Sequence, residues 1–148
     1  MTSEQIDLIT KSWSRVSQDP NLIQSFYDKL FEIAPSTRHY FPADLTKQSE
    51  KLAYTLGFVV GNLDRLENIQ DAIQNLGNTH KKLKVKEEEY GFMKEALLIT
   101  IDNALSGDNT PTIQAWDEVL TYLSVSMINA ENPPENKKKS FLNKIFGN

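Results

Sequence analysis

A regular spacing of apolar residues in the segment 66–85 places a histidine on the inner face of a helix. Ile69, Ile73 and Leu76 recur at intervals of three or four residues, as expected for an amphipathic helix. His80, one of two histidines in the chain, lies four residues further along the same face. A buried imidazole is costly unless its nitrogens have partners, so His80 is either a hydrogen-bonded core residue or the ligand of a buried metal.

The composition of the 148 residues limits the functions to be considered. The chain has no cysteine, which excludes disulfides, thiolate metal sites and a cysteine nucleophile. Its net charge of −4 argues against general nucleic-acid binding, and we expect no nucleic-acid partner. No apolar run approaches the length of a membrane span, and the first residues lack the features of a signal peptide. We therefore expect a cytoplasmic protein with one folded domain.

Apolar residues recur at helical spacing along most of the chain, and prolines and glycines mark the breaks between helices. Thr2 and Gln5 have the spacing of a capping box at the start of the first helix. The later helices are predicted over about residues 22–33, 35–41, 44 or 46 to 63, 66–80, 86–105 and 110–131. No segment has a convincing strand pattern. The sequence therefore predicts an all-α domain of six to eight helices over residues 1–131.

Several predicted helices turn a polar side chain toward the interior. These inward-facing residues are Tyr27, Gln48, His80, Tyr90 and Glu131. Each has an ordinary explanation when taken alone, because a core tyrosine can keep its hydroxyl at the edge of the core and a glutamate near a helix end is usually solvated. Together they predict a polar-lined cavity inside a helical shell.

The residues available around His80 restrict the kind of metal site that it could form. Two histidines, no cysteine and no H-E-x-x-H arrangement argue against zinc. The chain also lacks a glycine-rich phosphate loop and a G-x-S-x-G elbow. A metal held by a single protein imidazole needs its other ligands from a cofactor. Haem iron, with one histidine and an open sixth position, meets that need.

The order and spacing of these residues resemble a bacterial single-domain globin, similar to the haem domain of flavohaemoglobins. The landmarks are Phe-Tyr-x-x-Leu-Phe at residues 26–31, Phe41 before a proline, Gln-Ser-Glu-Lys-Leu at residues 48–52, Leu-Gly-x-x-His ending at His80, and Trp116 on the last helix. The likeness covers nearly all of the chain before its C-terminal tail. It implies the globin fold around a haem pocket, and a haem b cofactor.

The resemblance also implies roles for the inward-facing residues. His80 would bind the iron through Nε2 and donate its Nδ1–H to an acceptor in the region of Glu131, with Tyr90 alongside. Tyr27 and Gln48 would donate hydrogen bonds to bound O2, so that Tyr27, Gln48, Tyr90 and Glu131 form the predicted catalytic set. The remaining predicted haem contacts are the apolar residues Phe41, Leu52 and Val85 and the propionate partners Lys51 and Lys84.

Three functions are compatible with this sequence. The first is reversible O2 binding at a five-coordinate ferrous haem, with nitric oxide dioxygenase activity or other O2 and NO chemistry. Because no flavin or nicotinamide domain follows residue 148, we expect the electrons for turnover to come from a separate reductase. The second is a gas sensor that acts through a partner protein. The third is a haem-free helical adaptor, and the retention of Phe41 and His80 argues against it.

The C-terminal tail, residues 132–148, differs from the rest of the chain in charge and pattern. It carries a net charge of +3, whereas residues 1–131 carry −7. Its lysines precede and separate four apolar residues between positions 141 and 146, which would share one face of a short helix. This pattern favours a segment that contacts a membrane surface or a partner protein, and the alternative is a solvated extension.

Overall fold

The computed structural model describes residues 1–131, apart from the side chain of Glu131, and the predicted C-terminal tail lies outside the described residues. Two short 3-10 helices, Pro35–Tyr40 and Leu66–Ile69, accompany the α-helices. The α-helices are α1 (Ser3–Val16), α2 (Leu22–Ile33), α3 (Thr46–Val60), α4 (Gln70–Lys82), α5 (Glu87–Ala104) and α6 (Thr110–Glu131). Residues 1–131 contain no strand, so the all-α prediction is confirmed.

The first helix begins where the sequence predicts, with a reciprocal cap. The Gln5 backbone N–H donates to Thr2 Oγ1 at 3.1 Å, and the Thr2 backbone N–H donates to Gln5 Oε1 at 2.9 Å. Both groups would otherwise lack an intrahelical partner. The cap thus fixes the start of α1, whose inner face then carries Ile9 and Val16 into the core.

The centre of the core is built around Trp116 on α6, which is 1% exposed. Its indole Nε1–H donates to Ser12 Oγ at 2.9 Å, and the Ser12 hydroxyl donates to the Ile9 carbonyl at 2.9 Å. The two polar groups of this buried pair are therefore satisfied, as the low dielectric of a core requires. The pair joins α1 to α6 across 104 residues of sequence.

The helix that carries Gln48 ends at Val60, three residues before the predicted end at Leu63. The side chain of Asn62 donates to the Phe58 carbonyl at 2.8 Å and so replaces the next backbone donor of the helix. Asparagine competes with helix continuation in this way, and the chain turns. Leu63 is nevertheless buried, as its place in the apolar pattern predicts.

Among the described helices, none is long and apolar enough to cross a membrane.

The close approach of α4 to α6 depends on Gly77, which precedes His80 by one turn. A Cβ atom at this position would lie 2.8 Å from the Met127 carbonyl oxygen and 2.9 Å from Ala130 Cβ. Both distances are shorter than van der Waals contact, and the first neighbour is backbone that cannot turn away. Gly77 therefore lets α4 lie directly on the backbone of α6. This contact fixes the distance between α6 and the turn that carries His80.

We expect Gly77→Ala to lower the free energy of unfolding by about 1–3 kcal/mol, the usual cost of overpacking a well-packed contact. Chemical denaturation followed by circular dichroism measures the change. Gly91→Ala is the matched control, because a Cβ at Gly91 on α5 meets nothing within 4 Å. That control should gain about 0.5–1 kcal/mol from alanine's higher helix propensity. Equal stability of Gly77→Ala and the natural chain would contradict the packing account.

Candidate functional site

His80 lies in the last turn of α4, half-buried, with one ring nitrogen committed to the backbone. Its Nδ1 lies 2.6 Å from the carbonyl oxygen of Leu76, one turn earlier. A carbonyl oxygen can only accept a hydrogen bond, so Nδ1 carries the proton and donates it. In the neutral form of the ring, this hydrogen bond leaves the lone pair on Nε2. This is the tautomer in which histidine binds a metal through Nε2 while the other nitrogen is held in place.

The ring of Tyr90, in the first turn of α5, packs against the imidazole of His80. The two ring centroids are 5.4 Å apart, with planes inclined by 31°. Tyr90 is 5% exposed and thus firmly held by its surroundings. Together with the bond from Nδ1 to Leu76, this contact restricts rotation of the imidazole. The sequence analysis expected Nδ1 to donate in the region of Glu131, whereas its acceptor in the structure is the Leu76 carbonyl. The side chain of Glu131 lies outside the described part of the chain, so any role of it beside His80 stays a prediction.

Tyr27 on α2 and Gln48 on α3 are brought together by the fold. Tyr27 is 1% exposed, and the side chain of Gln48 lies near enough to its hydroxyl to lower the pKa of that group. Burial raises the pKa of Tyr27 to about 12, and the Gln48 side chain offsets only part of that rise. The phenol therefore keeps its proton at neutral pH and remains an O–H donor. The fold therefore brings the two predicted polar residues to the same place.

Phe41 completes an aromatic cluster next to Tyr27. Its ring centroid lies 5.4 Å from that of Tyr27 and 5.7 Å from that of Phe31, both in edge-on orientations. Arg38 supports the cluster, with its guanidinium 5.0 Å from the centre of the Phe31 ring and Nη1 donating to the Phe41 carbonyl at 3.1 Å. Phe41 is only partly buried, so part of its ring remains available to a further apolar group.

The helices that carry Gln48 and His80 have different packing partners. Within residues 1–131, α3 packs on α1 and α2, whereas α4 packs mainly on α6, and the two do not pack closely on each other. Leu52 on α3 and Val85 after α4 are neither fully buried nor fully exposed. Partly exposed apolar side chains can pack against a large apolar ligand. Leu52 and Val85 are therefore candidates for contact with a planar macrocycle.

No group of three or more histidine, aspartate and glutamate side chains within residues 1–130 could hold a metal ion. A metal at His80 would therefore need ligands from outside these side chains. Haem provides four such ligands and takes a single neutral imidazole on one face. The donor atoms of the described chain therefore fit haem iron better than a metal ion bound by protein side chains alone.

The two predicted propionate partners differ in backbone conformation. Lys51 is exposed on α3, and Lys84 is exposed in the turn after α4. Lys84 has φ of 60°, the only positive φ among the non-glycine residues of the described chain. A lysine in the left-handed region is uncommon, and its conformation must be supported by neighbouring contacts. The propionate roles of both lysines remain predictions.

Two features near His80 were missed at the level of sequence. The first is the hydrogen bond between His80 and the Leu76 carbonyl. The two residues lie four positions apart on one helix, and this spacing was the signal that could have revealed the bond. The second is a buried carboxylate, Glu89, which accepts a hydrogen bond from the hydroxyl of Tyr40 at 2.6 Å. Because 49 residues separate these two side chains, no local pattern connects them.

An all-α fold, a half-buried imidazole that offers Nε2, and a tyrosine and a glutamine brought together from two helices fit a helical haem-binding protein. The globin family model matches residues 24–127, and the chain belongs to the globin family. Globins generally bind haem and diatomic gases. The predicted resemblance to bacterial globins and to the haem domain of flavohaemoglobins is confirmed.

Three comparisons illustrate this membership. An uncharacterized globin-like protein of Aquifex aeolicus is 29% identical over 133 residues, which are 88% of this chain and 95% of that protein. A flavohemoprotein of Bacillus subtilis is 30% identical over 72% of this chain, but the match spans only 28% of its own length. The solved structure of a bacterial globin from Campylobacter jejuni superposes with a TM-score of 0.78 at 26% identity, covering 94% of this chain and 99% of that one.

Proposed function

We propose that the chain binds haem b, with His80 Nε2 as its protein ligand, and takes up O2 reversibly on the opposite face of the haem. The observation that carries this proposal is the hydrogen bond from His80 Nδ1 to the Leu76 carbonyl, which leaves Nε2 as the free lone pair. The contact with Tyr90 adds support, because it restrains the plane of the same ring. A restrained neutral imidazole loses little entropy on binding a metal.

The proximity of Tyr27 and Gln48 is the second support for gas binding. In our proposal, the Tyr27 hydroxyl donates a hydrogen bond to bound O2, whose outer oxygen carries partial negative charge. Gln48 lies near the same hydroxyl and would be a second side-chain donor to the gas. Phe41 packs on Tyr27 from the other side and contributes an apolar surface to the haem. This set of contacts favours slow release of O2.

We further propose nitric oxide dioxygenase activity. When bound, haem supplies reversible O2 binding and the oxidation of NO by O2 to nitrate, with the iron giving up one electron per turnover. The protein side chains would then have two tasks: Tyr27 and Gln48 would retain the O2 by hydrogen bonding, and His80 would hold the haem. Renewed turnover would require one electron from a reductase. The similarity to the haem part of flavohemoproteins supports this proposal.

The test is to reduce the haem-loaded protein, equilibrate it with O2, mix it with NO and assay nitrate. We expect about one nitrate per protein without a reductase, and continued production when a flavin reductase and its nicotinamide donor are present. Protein saturated with CO before mixing is the control, because CO occupies the same gas site. Absence of nitrate from protein that visibly binds O2 would remove the dioxygenase proposal and leave reversible gas binding.

A further inference from the structure

The side chains of Tyr40 and Glu89 form a hydrogen bond that the proposed function does not use. The Tyr40 hydroxyl donates to Glu89 Oε1 at 2.6 Å, and the same oxygen accepts the backbone N–H of Lys86 at 2.8 Å. Glu89 is 7% exposed, which is unusual for a carboxylate and requires partners of this kind. We call this contact the Tyr40–Glu89 clamp.

The clamp lies on the turn that joins the His80 helix to α5. The Lys84 carbonyl oxygen is 3.3 Å from the Tyr40 hydroxyl, so Tyr40 contacts the turn as well as the helix that follows it. Lys84 has the positive φ noted above. The next residue, Val85, donates its backbone N–H to the His80 carbonyl at 3.1 Å. The turn is therefore tied to His80 at one end and to the clamp at the other.

The clamp is also adjacent in sequence to both aromatic rings that shape the site. Tyr40 immediately precedes Phe41, whose ring packs on Tyr27, and Glu89 immediately precedes Tyr90, whose ring packs on His80. A hydrogen bond between the two neighbours fixes the backbone from which each ring projects. One contact thus restrains the backbone next to Phe41 and the backbone next to Tyr90.

We propose that Tyr40 and Glu89 are positioning residues that set the orientation of His80 toward haem iron by holding the 83–86 turn against the segment before Phe41. This inference rests on the proposed function. Neither residue is assigned a contact with the reacting gas. Hydrogen bonding to Glu89 raises the pKa of Tyr40 to about 12, so the hydroxyl stays a donor at neutral pH.

The variants that test this proposal remove one atom or preserve the contact. Tyr40→Phe removes only the hydroxyl, and Glu89→Asp retracts the carboxylate by one methylene. Glu89→Gln keeps an oxygen acceptor for both donors and should behave as the natural chain does. Tyr54→Phe is the matched control for loss of a tyrosine hydroxyl, because Tyr54 is 75% exposed on α3 and lies outside the clamp.

Two measurements on the full chain separate the clamp from the haem proposal. In the haem-free protein, amide hydrogen exchange of residues 83–86 should be about tenfold faster in Tyr40→Phe and Glu89→Asp, as expected for loss of a hydrogen bond of ordinary strength. In the haem-loaded, reduced protein, the iron–histidine stretching band in the resonance Raman spectrum should shift or broaden in the same two variants. Glu89→Gln and Tyr54→Phe should leave both signals unchanged.

The results distinguish failure of the clamp from failure of the proposed function. Unchanged exchange and an unchanged Raman band in Tyr40→Phe, in protein that binds haem, would overturn the clamp while leaving His80 as the ligand. If the natural chain binds no haem, the proposed function fails, and with it the orienting role of the clamp. A faster exchange without a Raman change would mean that the contact stabilises the turn only, which also contradicts the inference.

Discussion

Replacing His80 by glycine should abolish stable haem binding, and imidazole added to the solution should restore it. The substitution removes the predicted ligand, a half-buried imidazole whose Nδ1 donates to the Leu76 carbonyl and leaves Nε2 for the metal. Loss of a residue that merely supports a metal ligand costs roughly 10- to 100-fold in affinity, so loss of the ligand itself should exceed that range. Haem transfer to an acceptor globin, followed by absorbance, gives the loss rate.

The chain provides a matched control for this experiment in its second histidine. His39 is exposed in the 3-10 helix Pro35–Tyr40, and its Nδ1 is 2.6 Å from the Ser36 carbonyl, much as His80 is bonded to Leu76. Because His39 is exposed and does not lie on α4, His39→Gly should retain haem as the natural chain does. Equal retention by the His80 and His39 variants, with no response to imidazole, would show that the metal ligand lies elsewhere.

Replacing Tyr27 by phenylalanine should speed O2 dissociation by about 5- to 30-fold, which corresponds to roughly 1–2 kcal/mol. The change removes a buried O–H donor and leaves the ring, so packing against Phe41 is preserved. In this variant, Gln48 can still donate a hydrogen bond to O2 through its side-chain amide. The change in dissociation rate should therefore lie near the lower end of the range. Stopped-flow displacement of O2 by CO measures the dissociation rate directly.

Tyr54→Phe again serves as the control for a lost phenol hydroxyl, since Tyr54 is on the outer face of α3. Its O2 dissociation rate should equal that of the natural chain. The double variant Tyr27→Phe with Gln48→Leu should release O2 faster than either single variant, because both donors are then gone. A dissociation rate that does not change in Tyr27→Phe would remove the predicted role of this residue without affecting His80.

The sequence predicts the helices well where a local signal marks them. The capping box at Thr2 and Gln5 locates the start of α1, and the apolar pattern places Tyr27 and Tyr90 inside. The pattern also leads to His80, because three- and four-residue spacing continues unbroken along α4. Such features are encoded within a few turns of one helix, where neighbouring residues determine the outcome.

Other features depend on contacts between distant segments and were not predictable. The Tyr40–Glu89 clamp joins side chains 49 residues apart, and the sequence around Glu89 reads only as an acidic first turn of a helix. The early end of α3 at Val60 depends on a side-chain bond of Asn62 that competes with the helix. The need for glycine at position 77 becomes clear only when α6 is in place. The Leu-Gly-x-x-His motif thus combines a packing requirement with a ligand.

The central claim is that a bond between His80 Nε2 and haem iron organises the site. The most direct test is the resonance Raman spectrum of the reduced haem protein, recorded for the natural chain and for His80→Gly supplied with imidazole. We predict an iron–imidazole stretching band in the natural chain, its loss in the variant, and its return with added imidazole at a frequency that responds to nitrogen-15 labelling of the imidazole. A band that persists unchanged in the variant without imidazole would contradict the claim.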